Sequence, residues 1–307
     1  MYFPYFRGRQ YELLALRELS QGRLQGTHVI PVVEPIKPTS TFTGAIKMFT
    51  EKNQPIALIL NPAVGDLTSG ASISTILTYV SGSVIPSVII GKGTVEAVAA
   101  LMAKGIAKKD VLSILINRDY LSAYQELFQS TPPKFTLFPD ERQIRRAVNV
   151  NKVMFEDKFK KQEKNADYLK QEDEFYSDDH LYFSNEGFIG FGDYSIIGDE
   201  YVESGFAPYA VAIHIIYFSD DNTLRVRHFV SDSNTDIRDV AGKYYEAVTK
   251  LKRWYDAGQS RQHTTALSTF LTHVENGYYP GLPTIKKLSI MHHLELVGRY
   301  LDGGLDK

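Results

Sequence analysis

The 307-residue chain is 43% hydrophobic and 23% charged, a balance that suits an ordinary globular protein with a sizeable core. It contains no cysteine, which excludes disulfides, thiol catalysis and cysteine metal sites. A formal net charge of −2 leaves no basic surplus of the kind that points to nucleic acid.

The opening Met1–Arg7 has no basic start followed by a long apolar run, so no signal peptide is expected. No stretch reaches the ~18 consecutive apolar residues of a membrane span. The expected location is the cytoplasm, with no membrane partner.

Eight short apolar runs follow one another, each closed by a polar residue. Tyr2 to Phe6 ends in Arg7-Gly8, and Val29 to Val33 in Glu34-Pro35. Ile56 to Leu60 ends in Asn61-Pro62, and Ser87 to Ile90 in Gly91-Lys92-Gly93. Val111 to Ile116 ends in Asn117-Arg118-Asp119, Phe135 to Phe138 in Pro139-Asp140, Lys152 to Phe155 in Glu156-Asp157, and Phe188 to Phe191 in Gly192-Asp193. Runs this short and this rich in β-branched and aromatic residues predict strands rather than helices. Unbroken rather than alternating hydrophobicity marks strands of a parallel sheet covered on both faces. Pro31 is awkward inside its run, because proline offers no ladder donor.

Helical patterns separate the runs: Tyr11, Leu14, Leu16 and Leu19; Val95, Val98, Leu101 and Met102 before Gly105; Leu121, Tyr124, Leu127 and Phe128 before Pro132. Strand and helix alternating eight times predict an α/β fold of the TIM-like (β/α)8 parallel barrel type. An open doubly wound sheet is the alternative, but it would carry a glycine-rich phosphate loop after its first strand, and Arg7-Gly8-Arg9-Gln10 is not one.

Two segments break the rhythm. Residues 158–185 are charged and aromatic, with Lys158 to Lys164 and then Glu172 to Asp179, and read as a solvated excursion over the barrel mouth in the manner of a lid. Residues 209–230 read as an added β-hairpin turning at Ser219-Asp220-Asp221-Asn222. The remainder is helical, with apolar stripes at Ile237 to Leu251, Leu267 to Val274 and Ile285 to Val297. The expected division is a barrel over 1–234, containing the excursion and the hairpin, and a C-terminal helical region over 235–307.

Active sites of such barrels form where the strands end. Those ends offer Glu34, Lys92, Asp140, Glu156 and Asp193 as candidate catalytic groups, with Arg7, Asn61 and Asn117 as candidate substrate-binding groups. Arg9, Lys37, Arg118, Asp119, Asp157 and Lys158 stand behind them. Carboxylates and lysines held close together shift one another's pKa, which suits acid–base work. Glu34, Glu156 and Asp193 could instead hold Mg²⁺, which prefers oxygen ligands, while Arg7 and Lys92 clamp an anion. Lys92, between two glycines, could form a Schiff base if desolvated, but a phosphate contact is the simpler role. The same ends also have a plain structural reading, since loops begin polar. Asp140-Glu141 would cap the helix from Arg142, and Asp193 would be a turn residue.

Other motifs are weaker. His292-His293 are adjacent, so their rings point to different sides of a helix and suit packing better than a shared metal. His214 lies in one strand of the hairpin and His228 in the facing one, where a cross-strand pair could form but a structural role is expected. Gly91-Lys92-Gly93-Thr94 is too short for a phosphate-binding P-loop, and there is no Gly-x-Ser-x-Gly elbow.

The segment Tyr5-Phe6-Arg7-Gly8-Arg9-Gln10-Tyr11-Glu12, the strand Ile30-Pro31-Val32-Val33-Glu34-Pro35 and the closing His292-His293-Leu294-Glu295-Leu296 resemble an uncharacterised bacterial family related to the phage "beta protein" family. The resemblance implies a barrel-like fold and a bacterial or phage-linked setting, including phage defence. It carries over no catalytic residue.

Two functions follow as expectations. One is an enzyme acting on a small anionic substrate, phosphate-containing or nucleotide-like, by acid–base or Mg-assisted chemistry. The other is a non-catalytic barrel that binds a protein partner through its C-terminal helices.

Overall fold

A computed structural model describes residues 1–202, 208–259 and 262–304. The strands in chain order are β1 (Tyr5–Phe6), β2 (Val32–Val33), β3 (Ile56–Ile59), β4 (Val84–Ile89), β5 (Leu112–Ile114), β6 (Phe135–Phe138), β7 (Lys152–Phe155), β8 (Asp173–Ser177) and β9 (Gly190–Gly192). All except β8 form one parallel sheet in the order β1-β2-β3-β4-β5-β6-β7-β9. Helices α1 (Gln10–Gly22), α2 (Ser40–Glu51), α3 (Ser72–Leu77), α4 (Thr94–Ala103), α5 (Leu121–Phe128) and α6 (Arg142–Ala147) make the crossovers, and the short α7 (Asp179–Tyr182) precedes β9. This is the expected TIM-like α/β barrel, nearly closed.

Alternation along each strand builds its interior. Phe3, Tyr5, Val32, Ala57, Ile59, Leu112, Ile114, Leu137 and Val153 belong to one buried cluster. The residues between them face the helices, so both faces are buried and the runs read as continuously apolar. Pro31 lies just before β2 and still contributes to the ladder, because its carbonyl accepts from the Ala57 amide at 2.8 Å.

Closure is made by β9 against the N-terminal strand. The Phe191 amide donates to the Met1 carbonyl at 3.0 Å, Phe3 to Phe191 at 2.8 Å, and Tyr5 to Asp193 at 2.8 Å. Two glycines allow this approach. A Cβ on Gly190 would lie 2.6 Å from the Met1 carbonyl oxygen, and one on Gly192 would lie 2.5 Å from that of Phe3.

The chain divides into two compact units, and the boundary falls elsewhere than at residue 234. The barrel unit comprises 1–23, 27–157 and 179–194. The second comprises 24–26, 158–178 and 195–307. The hairpin is β10 (Ala212–Phe218) and β11 (Leu224–Val230), and it groups with the C-terminal helices rather than with the barrel. The expected solvated excursion is also corrected, because it supplies β8. That strand pairs antiparallel with β11 to complete a three-stranded sheet ordered β10-β11-β8. Alternation explains the change: Glu174, Tyr176 and Ser177 are buried while Phe175 is exposed, so a charged run can still be a strand.

Against this sheet pack α8 (Val240–Asp256) and α10 (Leu282–Leu301), and α9 (Thr265–Asn276) packs on these two helices. Their predicted stripes are spent inside the unit, where Tyr244, Val248, Leu251, Phe270, Leu288 and Leu294 are buried. The outer edge of β10 is occupied by side chains: Gln262 pairs with both backbone groups of Phe218, and His292 Nε2 donates to the Ile216 carbonyl at 2.7 Å. An edge covered in this way cannot template another strand. Among the described residues no helix is long and apolar enough to cross a membrane.

Gly192→Ala is expected to lower the unfolding free energy by about 2 kcal/mol or more, because backbone rather than a mobile side chain opposes the new methyl. Urea denaturation of the full chain checks this, and a loss below about 0.5 kcal/mol would refute the account of closure.

Candidate functional site

At the barrel mouth the strand ends do not pool their polar groups into one open site. Glu34 is 2% exposed and its carboxylate is saturated. Oε1 accepts the backbone amides of Ala63 at 2.6 Å and Val64 at 3.2 Å. Oε2 accepts the Tyr5 hydroxyl at 2.7 Å and lies 3.7 Å from Arg7 Nε. The Arg7 guanidinium in turn sits 5.4 Å from the Tyr194 ring centre. Burial, the Glu34 carboxylate and Tyr194 together hold the Tyr5 phenol well above its ordinary pKa. Glu34 therefore acts as a clasp that ties the loop after β3 to the ends of β1 and β2.

Asn61 does similar work. Its amide donates to the carbonyls of Ile89 at 2.7 Å and Lys92 at 3.1 Å and accepts the Ile89 amide at 3.0 Å. The Lys92 side chain is exposed, so the desolvation that a Schiff-base lysine needs is missing. Asn117 caps its own loop through the Asp119 amide at 2.9 Å. Asp140 pairs with Arg145 at 3.1 Å rather than capping the helix, while its backbone amide donates to Glu156 at 3.1 Å.

Asp193 lies on the other side of the strand layer. It shares the parity of Phe191, whose ring stacks on Tyr2, and it accepts the Tyr2 hydroxyl at 2.7 Å. Glu34, Glu156 and Asp193 thus have separate partners and do not converge. Among the described residues no three histidine or acidic side chains gather as a metal site. Of the remaining candidates, Arg9 and Glu12 form the capping box of α1, and Lys37 pairs with Asp66 at 3.9 Å on the surface. Arg118, Asp119 and Asp157 are exposed, and Lys158 belongs to the second unit.

No family model and no curated protein matches the chain.

The second unit contains a different constellation. A cavity of about 920 Å³ lies within it, a size suited to a small molecule. Three lysines, Lys161, Lys164 and Lys286, and one acid, Glu163, are among its lining residues. Lys161 is paired with Glu200 at 2.6 Å. Phe159 and Tyr168 supply aromatic wall, and His214 lines the cavity beside them, 5.1 and 4.7 Å from those ring centres.

Half-buried His214 heads a chain of polar groups that runs inward through buried His228 and Glu174. β10 and β11 place it directly opposite His228, with the two Nδ1 atoms 2.8 Å apart. His228 Nε2 lies 3.2 Å from Glu174 Oε1 on β8, and Lys160 lies 3.3 Å from Glu174 Oε2. On the opposite face of β8, Asp173 holds Tyr217 at 2.6 Å and Arg225 at 2.6 Å, which anchors the strand. Burial is the main force that pushes His214 well below the ordinary histidine pKa, with His228 and Lys286 adding to it. Burial also lowers His228, opposed by its bond to Glu174.

Sequence reasoning saw the facing histidines but missed the carboxylate behind them. Glu174 sat in a run that looked solvated, and the only signal was its parity within Asp173–Ser177. Lys286 lay unremarked among the residues of a helix.

His292 and His293 are buried packing residues, as expected. The Thr264 hydroxyl donates to His292 Nδ1 at 2.8 Å, and Ser195 Oγ lies 2.8 Å from His293 Nδ1. Burial lowers His292 to about 4 and His293 to about 3.

Two predictions follow from these assignments. Glu34→Ala leaves two amides and a phenol without their acceptor and removes the carboxylate beside Arg7, so it should cost about 3 kcal/mol or more in denaturant unfolding. The two α10 histidines are neutral when folded, whereas an unfolded histidine takes up a proton below about pH 6.5. Stability should therefore be complete above that pH and fall as pH drops toward the folded values, by up to about 1.4 kcal/mol per pH unit for each ring. Denaturant unfolding between about pH 8 and 5 should show this slope, reduced by roughly one ring's share in His293→Gln.

Proposed function

We propose that the chain is an enzyme that takes a small anionic substrate, phosphate-containing or nucleotide-like, into the cavity of the second unit and moves a proton there with His214. The observation that carries this reading is a neutral, half-buried histidine at the wall of a cavity whose charged lining is mostly lysine. Lysines give an anion charge-assisted hydrogen bonds, which are stronger than neutral ones. Phe159 and Tyr168 offer a flat face to a base or another ring. A group that stays neutral near pH 7 can accept a proton in one step and return it in the next.

The reading moves the expected acid–base chemistry away from the barrel mouth. Glu34, Asn61 and Asp193 are consumed by internal bonds, so the barrel serves as scaffold. Mg-assisted chemistry through Glu34, Glu156 and Asp193 has no support from their geometry, since the three do not converge. A partner surface on the C-terminal helices would have to use their exposed residues, such as Tyr245 on α8, rather than the buried stripes.

Calorimetric titration with inorganic phosphate and with adenosine monophosphate tests the proposal. Lys164→Ala and Lys286→Ala are each expected to weaken binding by about tenfold, the worth of one charge-assisted hydrogen bond. Binding unchanged in both variants, or none in the wild type at millimolar anion, would reject it.

A further inference from the structure

The chain from Glu174 through His228 to His214 has a direction, and the direction settles which kind of anion the cavity prefers. A carboxylate only accepts hydrogen bonds. Glu174 meets Lys160 through one carboxylate oxygen at 3.3 Å and accepts through the other, so His228 Nε2 carries the hydrogen at their 3.2 Å contact. A neutral His228 then has a lone pair on Nδ1. The 2.8 Å contact between the two Nδ1 atoms needs one hydrogen, and His214 must supply it. A neutral His214 protonated on Nδ1 is left with a lone pair on Nε2. That nitrogen has no hydrogen-bond partner among the described residues, and the side chain lines the cavity.

We propose that Glu174 and His228 are positioning residues that fix His214 as a hydrogen-bond acceptor, so that the cavity selects anions carrying a donor, monohydrogen phosphate or a phosphate bearing a neighbouring hydroxyl, over anions that carry none, such as sulfate. The inference rests on the anion reading of this cavity and adds its specificity. Lys286 and Lys164 attract either anion by charge. Only the Nε2 lone pair tells them apart, because it accepts the P–O–H hydrogen and faces a sulfate oxygen as one acceptor facing another. The same lone pair makes His214 a base. It forms an N–H bond to a hydrogen of the bound substrate, the substrate's O–H bond breaks with its electron pair left on oxygen, and the positive charge on the ring is stabilised through His228 toward Glu174.

Two measurements on the full chain test this. Nitrogen-15 spectra of the imidazoles without ligand should show His214 protonated on Nδ1 and bare on Nε2; the opposite tautomer overturns the proposal. Titrations at about pH 8, where even an unperturbed histidine is neutral, compare inorganic phosphate with sulfate. The wild type should prefer phosphate by at least about tenfold, Glu174→Leu should reduce the preference to within about twofold by freeing the tautomer, and Glu174→Asp should restore it. Equal affinity for both anions in the wild type, or a preference untouched by Glu174→Leu, overturns the proposal. Binding of neither anion overturns the reading of the cavity on which this rests, and the expected tautomer in the same sample would mark that reading, rather than the relay, as what failed.

Discussion

Closure of the barrel depends on how near β9 can come to the first strand. Backbone from Met1 to Tyr5 must meet backbone from Gly190 to Asp193 at hydrogen-bond distance, and any side chain at Gly190 or Gly192 would stand in the way. Parity along β9 follows from the same constraint. With the glycines turned inward, Phe191 and Asp193 turn outward, and Tyr194 comes back to meet Tyr5, Phe155 and Arg7. The position of every later group on this strand is set by that alternation.

The polar strand ends are where a barrel of this kind ordinarily keeps its chemistry, yet here they are tied to one another. Parallel strands end in backbone groups that the ladder no longer satisfies, and a buried group without a partner is costly. Glu34 and Asn61 answer that need by bonding amides and carbonyls of adjacent strand ends. A carboxylate with three donors and a guanidinium around it has little left to offer a substrate. Being polar and at the mouth is therefore insufficient; what matters is whether a group's bonding capacity has been used.

The second unit shows the converse. Its sheet aligns Glu174, His228 and His214 on one face, and burial keeps the histidines neutral. The fold brings an acid from β8, separated by 40 positions from His214 in the chain, into line with a hairpin. Desolvation and order of bonding then convert two ordinary imidazoles into a directed pair, of which only the last faces the cavity.

The eight barrel strands, the hairpin and the helical stripes were legible in the sequence because periodicity and burial are local properties: each run announces both covered faces by its own composition. Cysteine content, charge balance and the packing role of His292 and His293 were legible for the same reason. What the sequence could not determine was which polar groups would spend themselves on one another. Asp193 turned outward through strand parity, Glu34 and Asn61 found backbone partners in neighbouring strands, and the charged run holding Glu174 became a third strand because β11 lay ready to pair with it. Hydrogen bonds between residues tens of positions apart leave no mark on local composition, so the tertiary structure alone decided where bonding capacity, and with it the candidate chemistry, remained.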